Sequence, residues 1–205
     1  MDKIEKLLST YQYAELRMEK NVFAYHFVSS GEENAYIVCS STTPQDIINR
    51  ASNFGLKLDK PNINFIDCYS STLGKEAQAS EKIKIVTGPS ALNDLSIALN
   101  EAMKSNEGKK IRVVFDTLST FVLYNPKDSV KKFLSVVGGR LRSANATTIY
   151  LIDEGVHDRQ LVSLLEQGMD GKYLINESGG KLALQIPEIE LPITIKLGPG
   201  GIAII

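Results

Sequence analysis

Three acidic residues stand where apolar runs end. Asp116 closes Ile111-Arg112-Val113-Val114-Phe115, and Asp153-Glu154 follows the run 147–152. A third run, 35–39, leads into Ser40-Ser41. Short apolar runs bounded by turn residues read as buried strands. In an open α/β sheet, ligands bind in the crevice beyond the carboxyl ends of the strands. Asp116, Asp153, Glu154, Ser40 and Ser41 are therefore expected to line one crevice. Carboxylates without basic cover suit a cation better than a polyphosphate. Serine is no general base near neutral pH without a partner, and no histidine lies near Ser40 in the chain. Ser40-Ser41 thus reads as a polar strand exit ahead of a helix cap at Thr43.

His26 and His157 are the two histidines. His157 follows the run 147–152, where it would cap the next helix. His26 falls on the first helix as half-buried packing. No Ser/His/Asp triad assembles from them. Cys39 and Cys68 lie in strand-like runs and read as free, buried thiols of a reducing compartment. No CxxC or Cys/His cluster calls for a metal.

The elements that must hold these residues alternate. Strands are expected over 34–39, 62–68, 111–116 and 147–152. Thr43-Pro44 opens a helix with Ile47, Ile48, Ala51 and Phe54 at helical spacing, and Gly55 stops it. Pro89 begins a second helix and Pro126 a third, the latter with the stripe Val130, Phe133, Leu134, Val137 and Leu141. Leu161, Leu164 and Leu165 mark a fourth. The polar stretch 69–82 reads as a mobile loop. Short strands over 172–176, 181–186, 193–197 and 202–205 alternate with glycine and proline turns. Together these elements predict an α/β fold with a mostly parallel central sheet and a C-terminal antiparallel β-meander. The first thirty residues allow two readings. One gives a helix over 2–9, a strand over 11–17, a loop at 18–20 and a helix to Ser29. The other gives one long amphipathic helix. The first is preferred because its strand would complete the sheet.

The whole chain reads as one domain of 205 residues, with segments 1–30, 31–176 and 177–205. Its 23 Lys+Arg nearly balance 24 Asp+Glu, which argues against a generally basic nucleic-acid binder. Lys127, Lys131, Lys132, Arg140 and Arg142 nonetheless gather on or near the third helix, opposed within it by Asp128 alone. They form a solvated face or an interaction surface. Gly138-Gly139 in the same helix calls for close packing by another helix or a partner. No run is apolar enough to span a membrane, and the charged start lacks a signal-peptide pattern, so a cytoplasmic protein is expected.

The segment 111–175 resembles the KaiC/RadA-like branch of the RecA superfamily. Ile111-Arg112-Val113-Val114-Phe115-Asp116-Thr117-Leu118-Ser119 is similar to that family's Walker B strand and the turn after it. Ile152-Asp153-Glu154-Gly155-Val156-His157-Asp158 is similar to its Glu-Gly-x-His-Asp turn, and Gly168-Met169-Asp170-Gly171-Lys172 to a later strand entry. The resemblance implies a RecA-like three-layer sandwich that binds ATP with Mg²⁺ and stacks against its own kind. The departures fall on the working parts. The first glycine is Gly31, so no glycine-rich loop cradles phosphates. Alignment of the P-loop Lys-Thr pair lands on Lys20-Asn21, where Asn21 lacks the hydroxyl that holds Mg²⁺ and Glu19 adds a negative charge. Ser40-Ser41 replaces the family's pair of glutamates. Lys20 and Asp116 are left as vestiges of a cofactor site. The chain is thus expected to be a degenerate, non-catalytic ATPase without a cofactor. Its role would be regulatory or structural, with a protein partner that is a homologous ATPase or a second copy. The alternatives are a working ATPase with an atypical loop, using Lys20 and Asp116 with ATP and Mg²⁺, or a DNA-recombination accessory using the Lys127–Arg142 surface.

Overall fold

The computed structural model describes residues 5–10, 14–74, 79–153, 155–178, 181–186, 190–198 and 201–205. The chain runs β1 (Glu5–Thr10), α1 (Ala14–Ser29), β2 (Asn34–Cys39), α2 (Pro44–Asn53), β3 (Ile63–Asp67), β4 (Ile83–Ile85), α3 (Leu92–Ser105) and β5 (Ile111–Asp116). It continues through α4 (Leu118–Tyr124), α5 (Lys127–Ser143), β6 (Ala146–Asp153), α6 (Arg159–Glu166), β7 (Gly171–Ser178), β8 (Lys181–Gln185), β9 (Ile193–Gly198) and β10 (Gly201–Ile204). One sheet joins the strands in the order β10-β9-β8-β7-β1-β6-β5-β2-β3-β4. The segment from β7 to β4 is parallel throughout, and β8, β9 and β10 extend it antiparallel. The expected parallel sheet and terminal meander are both present.

Strand periodicity builds the three layers. On β5, Val113 and Phe115 enter one core while Val114 enters the other; on β6, Tyr150 and Ile152 oppose Ile149 and Leu151. The first core packs beneath α3, α4, α5 and α6 through Leu95, Phe121, Val130 and Leu161. The second packs beneath α1 and α2 through Val22, Tyr25, Ile47 and Ala51. This two-faced burial explains why the central runs are predominantly apolar.

Local signals place the α2 boundaries. Thr43 Oγ1 accepts from the Asp46 N–H at 3.2 Å, and Gly55 takes a left-handed φ of 70° just past the helix. Pro126 immediately precedes α5, whereas α3 begins three residues after Pro89. The preferred reading of the N-terminus holds in part: a strand completes the sheet and a helix runs to Ser29, but the bounds differ. The strand is residues 5–10 and the helix begins at Ala14, so the segment expected as strand and loop over 14–20 is helical. The long single helix fails because β1 lies between β6 and β7 in the sheet. Within the polar stretch, residues 70–73 form a 3₁₀ turn, and residues 75–78 lie outside the described residues. Asp158, not His157, caps α6 by accepting from the Leu161 N–H at 2.8 Å. Gly138 is buried on α5, but a Cβ at Gly139 would meet no heavy atom within 4 Å, so close packing is absent there.

Candidate functional site

The carboxyl ends of β2, β5 and β6 meet the side of α1 around a crevice of about 350 Å³. Lys20, Tyr25, Ser41, Arg50, Thr117 and Asp153 are among its walls. Its apolar lining includes Phe54, Leu123 and Val156, and Leu123 is 67% exposed. The strand-end rule therefore brings Ser41 and Asp153 to one site, with Asp116 behind it. Glu154 lies outside the described residues.

Asp116 is fully buried. Asn21 Nδ2 donates to both of its carboxylate oxygens at 3.1 Å, and Tyr25 OH donates to Oδ2 at 2.7 Å. Burial raises the Asp116 pKa above the ordinary aspartate range; the Tyr25 hydrogen bond and the Lys20 and Arg50 charges pull the other way. Burial and then the Asp116 charge push the Tyr25 phenol well above its usual value. One helix turn thus carries both partners of the strand-end carboxylate, since positions 21 and 25 share a helix face.

Lys20 is 1% exposed and forms an ion pair with Asp153. The Asp153 N–H donates to Ser119 Oγ at 2.8 Å, which ties the end of β6 to α4. Arg50, in the last turn of α2, adds a second cation to the crevice. The expectation of a carboxylate crevice lacking basic cover is therefore wrong: α1 and α2 each bring a cation over it. Sequence reading missed Tyr25 and Arg50 as site residues because both reach it through helix docking.

Ser40 is structural. Its Oγ accepts from the Thr117 N–H at 2.7 Å and donates to the Thr117 carbonyl at 2.8 Å. Ser40→Ala would leave both buried groups of Thr117 without that partner. It should lower the unfolding free energy by about 2 kcal/mol in urea titration, and an unchanged midpoint would contradict this role.

The basic residues of α5 do not form one free patch. Lys127 pairs with Asp158, Arg142 with Asp170 at 3.9 Å, and Arg140 reaches Asn100 Oδ1 at 3.4 Å. Lys131 and Lys132 are exposed. Cys39 and Cys68 are free and buried, and burial raises both thiol pKa values. His157 is half-buried, and desolvation lowers its pKa. Among the described residues no group of three His, Cys, Asp or Glu is placed to hold a metal, and no helix is long and apolar enough to cross a membrane.

Comparison with known proteins agrees with this architecture. The chain is 28% identical over 138 residues to the circadian clock oscillator protein KaiC of Parathermosynechococcus lividus, covering 63% of this chain and 24% of that protein. It therefore spans about a quarter of that relative's length. A KaiC-like protein of Pyrococcus horikoshii superposes with a TM-score of 0.74 at 15% identity, covering 100% of this chain and 90% of that one. An uncharacterized protein of the same organism, crystallised with an unknown peptide, superposes with a TM-score of 0.76 at 15% identity, covering 100% and 92%. Residues 19–172 match a family of unknown function, DUF7504. With that match over most of its length, the chain belongs to the DUF7504 family, and its KaiC relative and KaiC-like structural neighbour support a relationship to the KaiC/RadA-like RecA superfamily.

Proposed function

We propose that this domain is a RecA-fold protein whose ATPase site has been lost and whose work is protein contact, regulatory or structural. One observation carries the reading. The carboxylate at the Walker B position, Asp116, is buried and bonded to Asn21 and Tyr25 from its own chain. A carboxylate held in that way does not present an oxygen to a hydrated Mg²⁺. Lys20 is likewise taken up by Asp153, within a helix that runs from Ala14 to Ser29. A P-loop lysine acts from a glycine-rich bend at a helix N-terminus, with backbone N–H groups aimed at the phosphates. The residues at this site do not fit ATP with Mg²⁺.

A contact role draws support from the unknown peptide bound by the Pyrococcus horikoshii relative and from the apolar rim at Leu123 and Val156. The partner in this reading is a homologous ATPase or a second copy. The DNA-accessory reading is weakened by the commitment of Lys127 and Arg142 to neighbouring aspartates.

Thermal unfolding with millimolar ATP and Mg²⁺ tests the proposal. No shift in midpoint is expected. Ligand at a hundred times its dissociation constant would add about 2.7 kcal/mol, a shift of several degrees that would restore the ATPase reading.

A further inference from the structure

Of the charged side chains described in the crevice wall, Arg50 alone lacks a partner. Lys20 and Asp153 form an ion pair. Arg50 is exposed and, among the described residues, makes no hydrogen bond or ion pair. Asp46 lies one turn before it on α2, but its Oδ2 accepts from the Thr42 and Thr43 hydroxyls at 3.3 and 2.7 Å. Beside Arg50 the lining is apolar. Phe54 follows it by four residues at the end of α2, so the two share a face. Leu123 is 67% exposed and Val156 36%. The crevice thus offers one unanswered positive charge and an apolar wall.

The complement of that hole stands elsewhere on the same chain. Leu191, between β8 and β9, is 77% exposed, more than any other large apolar side chain described. Glu190 next to it is exposed and, among the described residues, makes no hydrogen bond or ion pair. An exposed leucine alone is ordinary. An exposed leucine adjoining an unanswered carboxylate is the chemical counterpart of the crevice.

Topology keeps the two apart within one chain. The crevice lies at the carboxyl ends of parallel strands β2, β5 and β6. β7 runs the same way through β1, and β8 is antiparallel to it, with Ser178 opposite Lys181 and Leu174 opposite Gln185. The chain therefore leaves β8 at the amino edge of the parallel strands, and β9 starts from that edge with Ile193 opposite Leu184. Glu190 and Leu191 sit between them, at the edge opposite the crevice and separated from it by a strand length of about 15 Å or more. One copy cannot fill its own crevice with them; a second copy can.

We propose that Glu190 and Leu191 of one copy enter the crevice of another, with the carboxylate on Arg50 and the leucine against Phe54, Leu123 and Val156. This rests on the contact reading of the same crevice and names the partner as the chain itself. Carboxylate and guanidinium make a charge-assisted pair. Asp153, the acid of the same wall, is already neutralised by Lys20. A crevice of about 350 Å³ is near the low end for binding pockets and suits the tip of one loop. Because the contact joins opposite edges it is heterologous, so association continues into a ring or an open chain of copies.

Sedimentation velocity on the full chain from about 10 to about 500 μM tests this, a range set by the small size of the contact. Growth beyond a dimer with concentration is expected. Arg50→Glu and Glu190→Arg should each weaken association about tenfold or more. Both residues are exposed, so the thermal midpoints should stay within about 2 °C of the parent and loss of association would not reflect unfolding. An equimolar mixture of the two variants should form a dimer that grows no further, since the intact loop of the first fits the intact crevice of the second. The chain carrying both substitutions should associate again. A monomer at every concentration would overturn the proposal. So would association indifferent to both single substitutions, or a mixture no better than its components. A rise in thermal midpoint with ATP would defeat the lost-site reading, whereas a monomer without that rise defeats this contact alone, so the two failures are distinguishable.

Discussion

Lys20→Met should lower the thermal midpoint by roughly 10 °C. Lys20 is 1% exposed, and its ammonium is paired with Asp153. Removing one member of a buried ion pair typically costs about 3–5 kcal/mol, because the other charge is left without compensation. The Asp153 side chain retains 17% exposure, so some water reaches it and the lower end of that range applies. For a domain of this length each kcal/mol moves the midpoint by about 2–4 °C. Methionine keeps the length and apolar stem of lysine, so packing changes little and the lost charge dominates. Adding Asp153→Asn should recover much of the loss, since the stranded carboxylate is then gone. If Lys20→Met matched the parent in stability, the pair would hold nothing together. Lys20 would then be free for a ligand, and the vestigial reading of this lysine would fall with it.

What the sequence revealed, and what it hid, follows from the range of the interactions involved. The strands near 34–39, 62–68, 111–116 and 147–152 were legible because a sheet covered on both faces fills its strands mostly with apolar side chains. The α2 cap was legible because Thr43 and Asp46 interact within one turn. The position of β1 was not. Glu5-Lys6-Leu7-Leu8 is made of helix formers, and pairing with β6 and β7 overrides that propensity. At three residues, β4 is too short to show a period. Thr117 caps α4 by accepting from the Thr120 N–H, a signal that lies at the end of the stretch 111–119 that resembles a Walker B strand and turn. The strand-end rule placed Ser41, Asp116 and Asp153 around one crevice. Tyr25 and Asn21 stand more than ninety residues from Asp116 in the chain, and their meeting depends on how α1 docks on the sheet. No local spacing records that docking. The same holds for Arg50, which reverses the expected absence of basic cover from the last turn of a helix read correctly in every other respect.

Asp116→Ala should destabilise the fold by about 3 kcal/mol at neutral pH, without creating or abolishing any response to ATP. Two effects oppose each other. The substitution strands the buried Tyr25 hydroxyl and frees Asn21 Nδ2, at about 1–3 kcal/mol for each unsatisfied buried group, and it opens a small cavity. It also removes a carboxylate that burial makes costly to ionise. The first effect is larger, because hydrogen bonds and nearby cations already offset much of the desolvation. The second is visible in the pH dependence. The folded-state pKa of Asp116 is raised above its unfolded value near 3.9, so the folded protein holds this proton more tightly. The stability contributed by the protonated form is lost as pH rises through the folded value and returns as pH falls toward the unfolded one. The gap between the parent and Asp116→Ala should therefore widen on acidification across that window, as read from urea midpoints. A gap that narrowed instead would mean that the ionised carboxylate is favoured by folding. Tyr25→Phe separates the contributions: it removes one hydrogen bond and no charge, and about 1 kcal/mol is expected. If Tyr25→Phe cost nothing while Asp116→Ala cost several kcal/mol, the carboxylate would be held by something other than α1. The hydrogen bonds from Asn21 and Tyr25 would then not be what holds Asp116 in place.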